Sequence, residues 1–276
     1  MKWNTLLPAL LLSGAALAGN TDAVPSCAHQ ALPVFPPIAR ELMVAIDQTT
    51  LLDSSLQQSV ANAIKPFLSA GNRFSIVVFS AYTQGHYTDV LVSGGLDAPL
   101  PSQARDDIAK PLLVRLDLCQ QRQREQAAQA ASQALRAAFQ GSSGHIARSD
   151  IYASLRATSS IIRRSAAPDK VVLIVSDMLE NSSVANFYGD AGKSVRNIIT
   201  AREMRIVENN HLLADFGGAR VYVIGAGLLA DDAAHNKSYR DPKTMQALQA
   251  FWSAYFSKSN ARLMEFGQPA LLNPIP

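Results

Sequence analysis

The sequence has few cysteines, little net charge and no short motif for a metal or a catalytic nucleophile. Its 276 residues include two cysteines and no CxxC pair, which argues against a zinc site and a dithiol redox centre. The formal net charge of +3 is too weak an excess to indicate nucleic-acid binding by itself. The five histidines form no HExxH motif and no GxSxG motif occurs, so hydrolysis is not the favoured chemistry. A hydrophobic content of 48% excludes a disordered tail or a coiled coil.

The first residues have the pattern of a secretory signal. Lys2 supplies the positive end, residues 6–17 form the apolar core, and Ala16-Leu17-Ala18 is a small-residue cleavage site. A retained membrane anchor is the alternative, although the apolar stretch is shorter than the roughly 20 residues that a spanning helix needs. We therefore expect a signal peptide over residues 1–18, a periplasmic or secreted protein, and no membrane span once the signal is removed.

Export would place Cys27 and Cys119 in an oxidising compartment. They could form one disulfide that ties an N-terminal extension to the body of the protein. Their separation in the sequence neither supports nor excludes that pairing.

Short apolar runs alternate with helical patterns along the chain. Residues 42–46 and 171–175 are unbroken apolar runs, typical of strands buried on both faces. The sequence predicts strands over residues 42–47, 73–80, 86–92, 170–176, 220–224 and 261–266, and helices over 54–70, 119–140, 150–162, 194–213 and 244–257. The second and third of these strands would form a hairpin with a turn at Gly85. This order predicts an α/β fold, a doubly wound, mostly parallel open sheet of about six strands with one antiparallel edge strand and helices on both faces.

Two glycine-containing motifs match nucleotide-binding patterns only in part. Residues 225–230 fit GxGxxG/A after a strand, but too little chain follows for a dinucleotide-binding half, and Asp231 and Asp232 would repel phosphates. Residues 192–194 (GKS) resemble the end of a phosphate loop, yet Phe187 stands where its first glycine is needed. A glycine-bearing turn and a helix cap are the simpler interpretations.

Two carboxylates stand at the ends of buried strands. Asp47 ends the first apolar run and Asp177 follows the fourth strand, so the two acids converge if these strands are neighbours. Thr49 adds a hydroxyl near Asp47, and Ser149 adds another at a helix start. Hard oxygen ligands with two negative charges suit Mg²⁺, which keeps waters and so leaves a position for a partner's carboxylate. Mn²⁺ and Ca²⁺ are alternative cations, and helix caps without any cation are a further alternative.

These residues resemble the metal-ion-dependent adhesion site of the von Willebrand factor A-like family, which includes the integrin I-like domains. The family pattern is Asp-x-Ser/Thr-x-Ser, then a Thr, then an Asp. Asp47 and Thr49 match its opening positions, Ser149 replaces the Thr, and Asp177 matches the third loop. Leu51 stands at the last hydroxyl position of the first motif.

The third loop also departs from the family pattern. It reads Asp177-Met178-Leu179-Glu180, where the family commonly has glycine after the aspartate. The resemblance implies an N-terminal extension at residues 19–39, a von Willebrand factor A-like domain at 40–267 with a degenerate site, and a C-terminal tail at 268–276.

The resemblance implies a non-enzymatic, exported protein-binding module. Asp47, Thr49, Ser149 and Asp177 would hold Mg²⁺, whose open position would accept an Asp or Glu side chain of another protein; no nucleic acid is expected.

Two other functions remain open. One is a metal-free structural subunit of an envelope assembly, whose partner surface would lie on aromatic or arginine-rich helices. The other is a phosphoesterase or nucleotide-dependent enzyme, which would need catalytic groups that the sequence does not place. The helix residues in question are Phe251, Trp252, Tyr255 and Phe256, and Arg122, Arg124, Arg136, Arg156, Arg163 and Arg164.

Overall fold

A computed structural model describes most of the chain. It covers residues 22–83, 86–142, 149–189, 194–229 and 241–276. The predicted signal peptide, the predicted turn at Gly85 and most of the GKS motif lie outside the described residues. Within the described part, no helix is both long and apolar enough to cross a membrane.

Strands and helices follow one another along the chain, and two long strands form a hairpin after the first helix. The elements are β1 (Arg40–Asp47), α1 (Ser54–Ile64), a 3₁₀ turn (Lys65–Phe67), β2 (Asn72–Thr83), β3 (His86–Gly95), α2 (Ser102–Asp106), α3 (Lys110–Gly141), α4 (Ile151–Arg163), β4 (Asp169–Val175), β5 (Tyr188–Gly189), β6 (Ser194–Val195), α5 (Thr200–Asn209), β7 (Ala219–Ile224), α6 (Pro242–Lys258) and β8 (Ala261–Phe266).

Six strands form one sheet in the order β3-β2-β1-β4-β7-β8. All neighbouring pairs are parallel except β2 and β3, which are antiparallel. The chain moves to one side of β1 through β2 and β3, then crosses to β4 on the other side. The predicted fold class is thus confirmed, including the single antiparallel edge strand. The strand order reverses between β1 and β4, the place where sheets of this type bind ligands.

The central strands are buried because helices cover both faces of the sheet. Alternate residues of β1 enter two separate cores, with Met43 in one and Val44 in the other. The first core contains residues of α4, α5 and α6, and the second contains residues of α1 and α3. The rigid central part of the sheet therefore positions whatever follows β1 and β4.

Two helices begin more than five residues away from their predicted starts. Helix α3 starts at Lys110, nine residues before the predicted start at Cys119, because Pro111 occupies the first turn, where proline costs no hydrogen bond. The prediction of helix from Ser194 is wrong: Ser194–Val195 pairs with Tyr188–Gly189 in a short antiparallel ladder, and α5 begins at Thr200.

Cys27 and Cys119 form a disulfide that joins the N-terminal extension to α3. A small apolar cluster that includes Leu100, Ile108 and Leu116 surrounds the bridge. Disulfides persist in oxidising compartments, so this bond fits a non-cytoplasmic location.

The C-terminal residues fold back onto the sheet. Ile275 is buried in the core on the α1 and α3 side. Arg40 and Arg220 both donate hydrogen bonds to the carbonyl oxygen of Pro276, and Asp169 pairs with both arginines. The residues predicted as a tail thus complete the core.

Candidate functional site

Parallel pairing places the ends of β1 and β4 side by side. Ile46 is in register with Val175, so Asp47 and Ser176 follow at the same edge of the sheet. Asp177 is held there by its backbone: its amide donates to Thr50 Oγ1 over 3.0 Å, and its carbonyl accepts from the Gly227 amide over 2.8 Å. The loops after β1, β4 and β7 therefore meet around Asp177.

Asp47 is fully buried and accepts four hydrogen bonds. Its Oδ1 accepts from the Thr49 amide at 2.9 Å and the Thr49 hydroxyl at 2.6 Å. Its Oδ2 accepts from the hydroxyls of Ser176 at 2.8 Å and Ser149 at 3.0 Å. Burial raises the pKa of Asp47, and these hydrogen bonds to the carboxylate act in the opposite direction.

Asp177 is also buried and accepts one hydrogen bond on each oxygen. Oδ1 accepts from the Leu179 amide at 2.8 Å, and Oδ2 accepts from the Tyr188 hydroxyl at 2.6 Å. Burial, and then the charge of nearby Asp47, raises the pKa of Asp177 to about 8. The carboxyls are close enough to interact, so the charge of one makes ionisation of the other harder.

The four residues predicted from the sequence lie at one site. Thr49 and Ser149 contact Asp47 directly. Asp177 is linked to Asp47 in two ways: the adjacent Ser176 donates a hydrogen bond to Asp47, and the two carboxyls interact electrostatically. Their role as metal ligands stays a prediction.

Sequence reasoning missed three residues of this site. Ser176 and Thr50 lie next to predicted residues, and their hydroxyls join the two strand ends. Tyr188 lies on β5, eleven residues beyond Asp177, and no spacing in the sequence signals its contact.

Ser149 is positioned by the start of α4 and by the third loop. Asp150 caps the helix by accepting the Ala153 amide at 3.0 Å. The Asn181 amide donates to the Ser149 carbonyl at 2.8 Å, which holds this residue against the third loop. Glu180, a buried carboxyl of that loop, accepts the Tyr152 amide at 3.0 Å and so also binds the helix start. Burial raises the pKa of Glu180 well above its usual range.

The departures from the family pattern have structural consequences. The Leu51 side chain has no oxygen and is 46% exposed. Met178, where the family commonly has glycine, has a φ of 60°, in the left-handed region that glycine enters readily. The Trp252 indole donates to the Met178 carbonyl at 2.9 Å, and the Met178 side chain is fully buried. Packing thus holds a methionine in this conformation.

The chemistry of the donor set fits a hard cation. The Thr49 and Ser149 hydroxyls donate their protons to Asp47 and keep lone pairs for another partner. Within the described ranges, no three His, Cys, Asp or Glu side chains form a metal-binding group. A cation here would therefore depend on hydroxyl oxygens together with two carboxylates, a set that suits Mg²⁺.

Comparisons with known proteins give distant structural similarities. No family model and no curated protein matches the chain. Similar solved structures include the pilus adhesin SpaC from Lactobacillus rhamnosus GG in its open conformation, with 14% identity and a TM-score of 0.38 over 91% of this chain and 29% of the adhesin. An aerotolerance-related membrane protein from Bacteroides fragilis NCTC 9343, with multiple mutations to serines, shows 9% identity and a TM-score of 0.35 over 85% of this chain and 92% of that protein. The chain thus spans less than a third of the adhesin, and the assignment of the fold rests on its own sheet order.

Proposed function

We propose that this protein is an exported, non-enzymatic module of the von Willebrand factor A-like type, which binds Mg²⁺ and through it an acidic side chain of a partner protein. One observation carries the proposal. The hydroxyls of Thr49 and Ser149, from different loops, converge on the Asp47 carboxylate at the point where the strand order reverses. Asp177 supplies the second carboxylate from the neighbouring strand.

The roles of the four residues follow from their present contacts. Asp47 is saturated with hydrogen bonds, so it suits a role in orienting the two hydroxyls and contributing charge. Thr49 and Ser149 would face the cation with their free lone pairs, and Asp177 would add charge directly or through a water. Mg²⁺ takes six oxygen ligands and retains waters readily, so a partner carboxylate can replace one of them.

A metal-free structural subunit is the second candidate, and the hydrogen bonding of Asp47 favours it. Four donors satisfy this buried carboxylate without any cation. Its partner surface would not use the aromatic side chains of α6, because these are buried in the core. The exposed arginines of α3 and α4 remain, but the two helices contribute to cores on opposite sides of the sheet.

A hydroxyl-removal experiment separates the two candidates. The double variant Thr49→Val, Ser149→Ala removes both proposed ligand hydroxyls and keeps both carboxylates. The matched control is Ser55→Ala, Ser132→Ala, which removes two exposed helix hydroxyls. Thermal unfolding is measured with EDTA and with Mg²⁺.

The proposal predicts Mg²⁺-dependent stabilisation of the wild type and the control, about 2.7 kcal/mol when Mg²⁺ exceeds its Kd about 100-fold. The hydroxyl variant should lose most of it, and so should Asp47→Ala, Asp177→Ala. An equal Mg²⁺ response in the wild type and the hydroxyl variant would refute the proposed site, and partner binding that EDTA leaves unchanged would favour the metal-free subunit.

A further inference from the structure

The groups that donate hydrogen bonds to Asp47 and Asp177 belong either to the loops that build the site or to a separate hairpin. Asp47 accepts from an amide and from three hydroxyls, those of Thr49, Ser149 and Ser176, all within the loops that build the site. The amide of Leu179 binds Oδ1 of Asp177 and belongs to the backbone of the third loop. The remaining oxygen, Oδ2 of Asp177, accepts from Tyr188 on a separate hairpin. Among these donors, Tyr188 is thus the one whose side chain can move away from the carboxylates while the loops that build the site keep their conformation.

We infer that the cation binds Asp177 directly through Oδ2 and that Tyr188 is its internal competitor, whose hydroxyl occupies this oxygen in the metal-free protein and leaves when the cation binds. The inference rests on the proposed function, because it concerns the same site. The Tyr188 O–H···O hydrogen bond of 2.6 Å lies at the short end of the range for such bonds. A cation that takes the position of this hydroxyl on Oδ2 therefore replaces an existing interaction.

The residues around Tyr188 would allow its side chain to move while the hairpin stays in place. Phe187, immediately before it, is fully buried and lies beneath the Arg196 guanidinium at 5.1 Å. Arg196 in turn pairs with buried Glu203 on α5 at 2.8 Å. The Tyr188 amide donates to Asn186 Oδ1 at 2.8 Å. Anchors on both strands of the hairpin thus leave rotation of the Tyr188 side chain as the simplest opening motion.

Removal of one hydroxyl tests this inference. Tyr188→Phe keeps the ring and deletes the donor to Asp177. The matched control is Tyr255→Phe, which deletes a hydroxyl that donates to the Leu212 carbonyl at 3.1 Å, on α6 rather than at the site. Mg²⁺ binding to the full chain is measured by calorimetric titration of the wild type and both variants, after EDTA treatment and dialysis.

We expect Tyr188→Phe to bind Mg²⁺ roughly tenfold more tightly than the wild type, because the cation no longer displaces the Tyr188 hydrogen bond. Tyr255→Phe should bind like the wild type. If the wild type binds Mg²⁺ and Tyr188→Phe binds with equal or lower affinity, the competition is refuted while the proposed function survives. If neither the wild type nor Tyr188→Phe binds Mg²⁺, the proposed function fails, and the inference fails with it.

The ring of Tyr188 gives a readout of the opening itself. In a protein with isotope-labelled tyrosine, the ring resonance that Tyr188→Phe removes from the NMR spectrum identifies Tyr188. Mg²⁺ should shift this resonance in the wild type, because the hydroxyl leaves Asp177 while the hairpin stays in place. An unchanged Tyr188 resonance in a wild type that binds the ion would overturn the inference.

Discussion

The hydroxyl of Ser176 donates a 2.8 Å hydrogen bond to Asp47 and accepts a 3.0 Å hydrogen bond from the Met178 amide. The residue after β4 therefore bonds both to the last residue of β1 and to its own loop. These two hydrogen bonds fix the position of the loop after β4 relative to the loop after β1. Because both contacts are buried, neither the Met178 amide nor the Asp47 carboxylate can turn to water if the hydroxyl is lost.

Ser176→Ala should therefore destabilise the protein by about 1–3 kcal/mol, since it leaves a buried amide without its acceptor and removes a donor from a buried carboxylate. The measurement is the free energy of unfolding in urea, with EDTA present. Ser132→Ala, at an exposed position of α3, is the control and should stay within about 0.5 kcal/mol of the wild type. Equal stability of the two variants would show that these two hydrogen bonds contribute nothing.

The pH dependence of stability should report on Asp177. Its pKa is raised from 3.8 to about 8, so between these values the folded state retains a proton that the unfolded state has released. The folded state then binds more protons, and the metal-free protein should lose stability as the pH rises, by at most about 1.4 kcal/mol per pH unit from this group. Mg²⁺ affinity should change in the opposite sense and rise with pH, because the cation competes with the proton.

Urea unfolding in EDTA at several pH values from about 5 to about 8 tests this sign. Asp177→Asn cannot ionise, so the difference in stability between wild type and variant should shift in favour of the variant as the pH rises. Ser132→Ala, which changes an exposed hydroxyl of α3 that does not titrate in this range, should show a pH profile parallel to that of the wild type. Parallel profiles for Asp177→Asn and the wild type would contradict the assignment of the raised pKa.

The sequence predicts the sheet and both acids because each has a local signal with a physical cause. A strand covered on both faces must be apolar throughout, so residues 42–46 and 171–175 stand out. A right-handed crossover between parallel strands brings their carboxyl ends to one edge, which places Asp47 near Asp177. The antiparallel hairpin also has a local signal, because its two strands are consecutive in the sequence and a short turn joins them.

The contacts that the sequence does not predict depend on tertiary structure. Tyr188 reaches Asp177 from a ladder of two residues per strand, too short for any periodicity to show. Thr50 and Thr49 are neighbours with the same side chain, yet one binds the Asp177 amide and the other Asp47, a difference that only the turn geometry decides. The sequence does not predict the early start of α3, because the prolines in the connection before this helix are typical of a loop.

The C-terminal residues should contribute to stability through burial of Ile275. Its side chain is 3% exposed, whereas Leu272, three residues earlier, is 90% exposed. Ile275→Ala should cost about 2–4 kcal/mol, because a buried aliphatic side chain is lost and a cavity remains. Leu272→Ala is the matched control and should cost less than about 0.5 kcal/mol. Chemical denaturation gives the free energy of unfolding of both variants. Equal losses in the two variants would show that the segment around Ile275 does not unfold together with the rest of the protein.

Two opposite contributions to stability meet at Met178: backbone strain lowers stability and packing of the buried side chain raises it. Its φ of 60° costs a residue with a side chain about 1 kcal/mol relative to glycine, so Met178→Gly relieves strain at this position. The same change removes a fully buried side chain, which costs about 2–5 kcal/mol including the cavity. Packing should prevail, and the variant should be less stable by about 1–3 kcal/mol net.

His211 provides the control that separates these two contributions. It has a φ of 54° but an exposed side chain, so His211→Gly relieves strain without loss of burial. Because glycine also increases the entropy of the unfolded chain, this variant should lie within about 1 kcal/mol of the wild type. Urea unfolding of both variants gives the comparison. If Met178→Gly is as stable as His211→Gly, the third loop does not depend on its buried methionine, and the departure from glycine has no packing explanation.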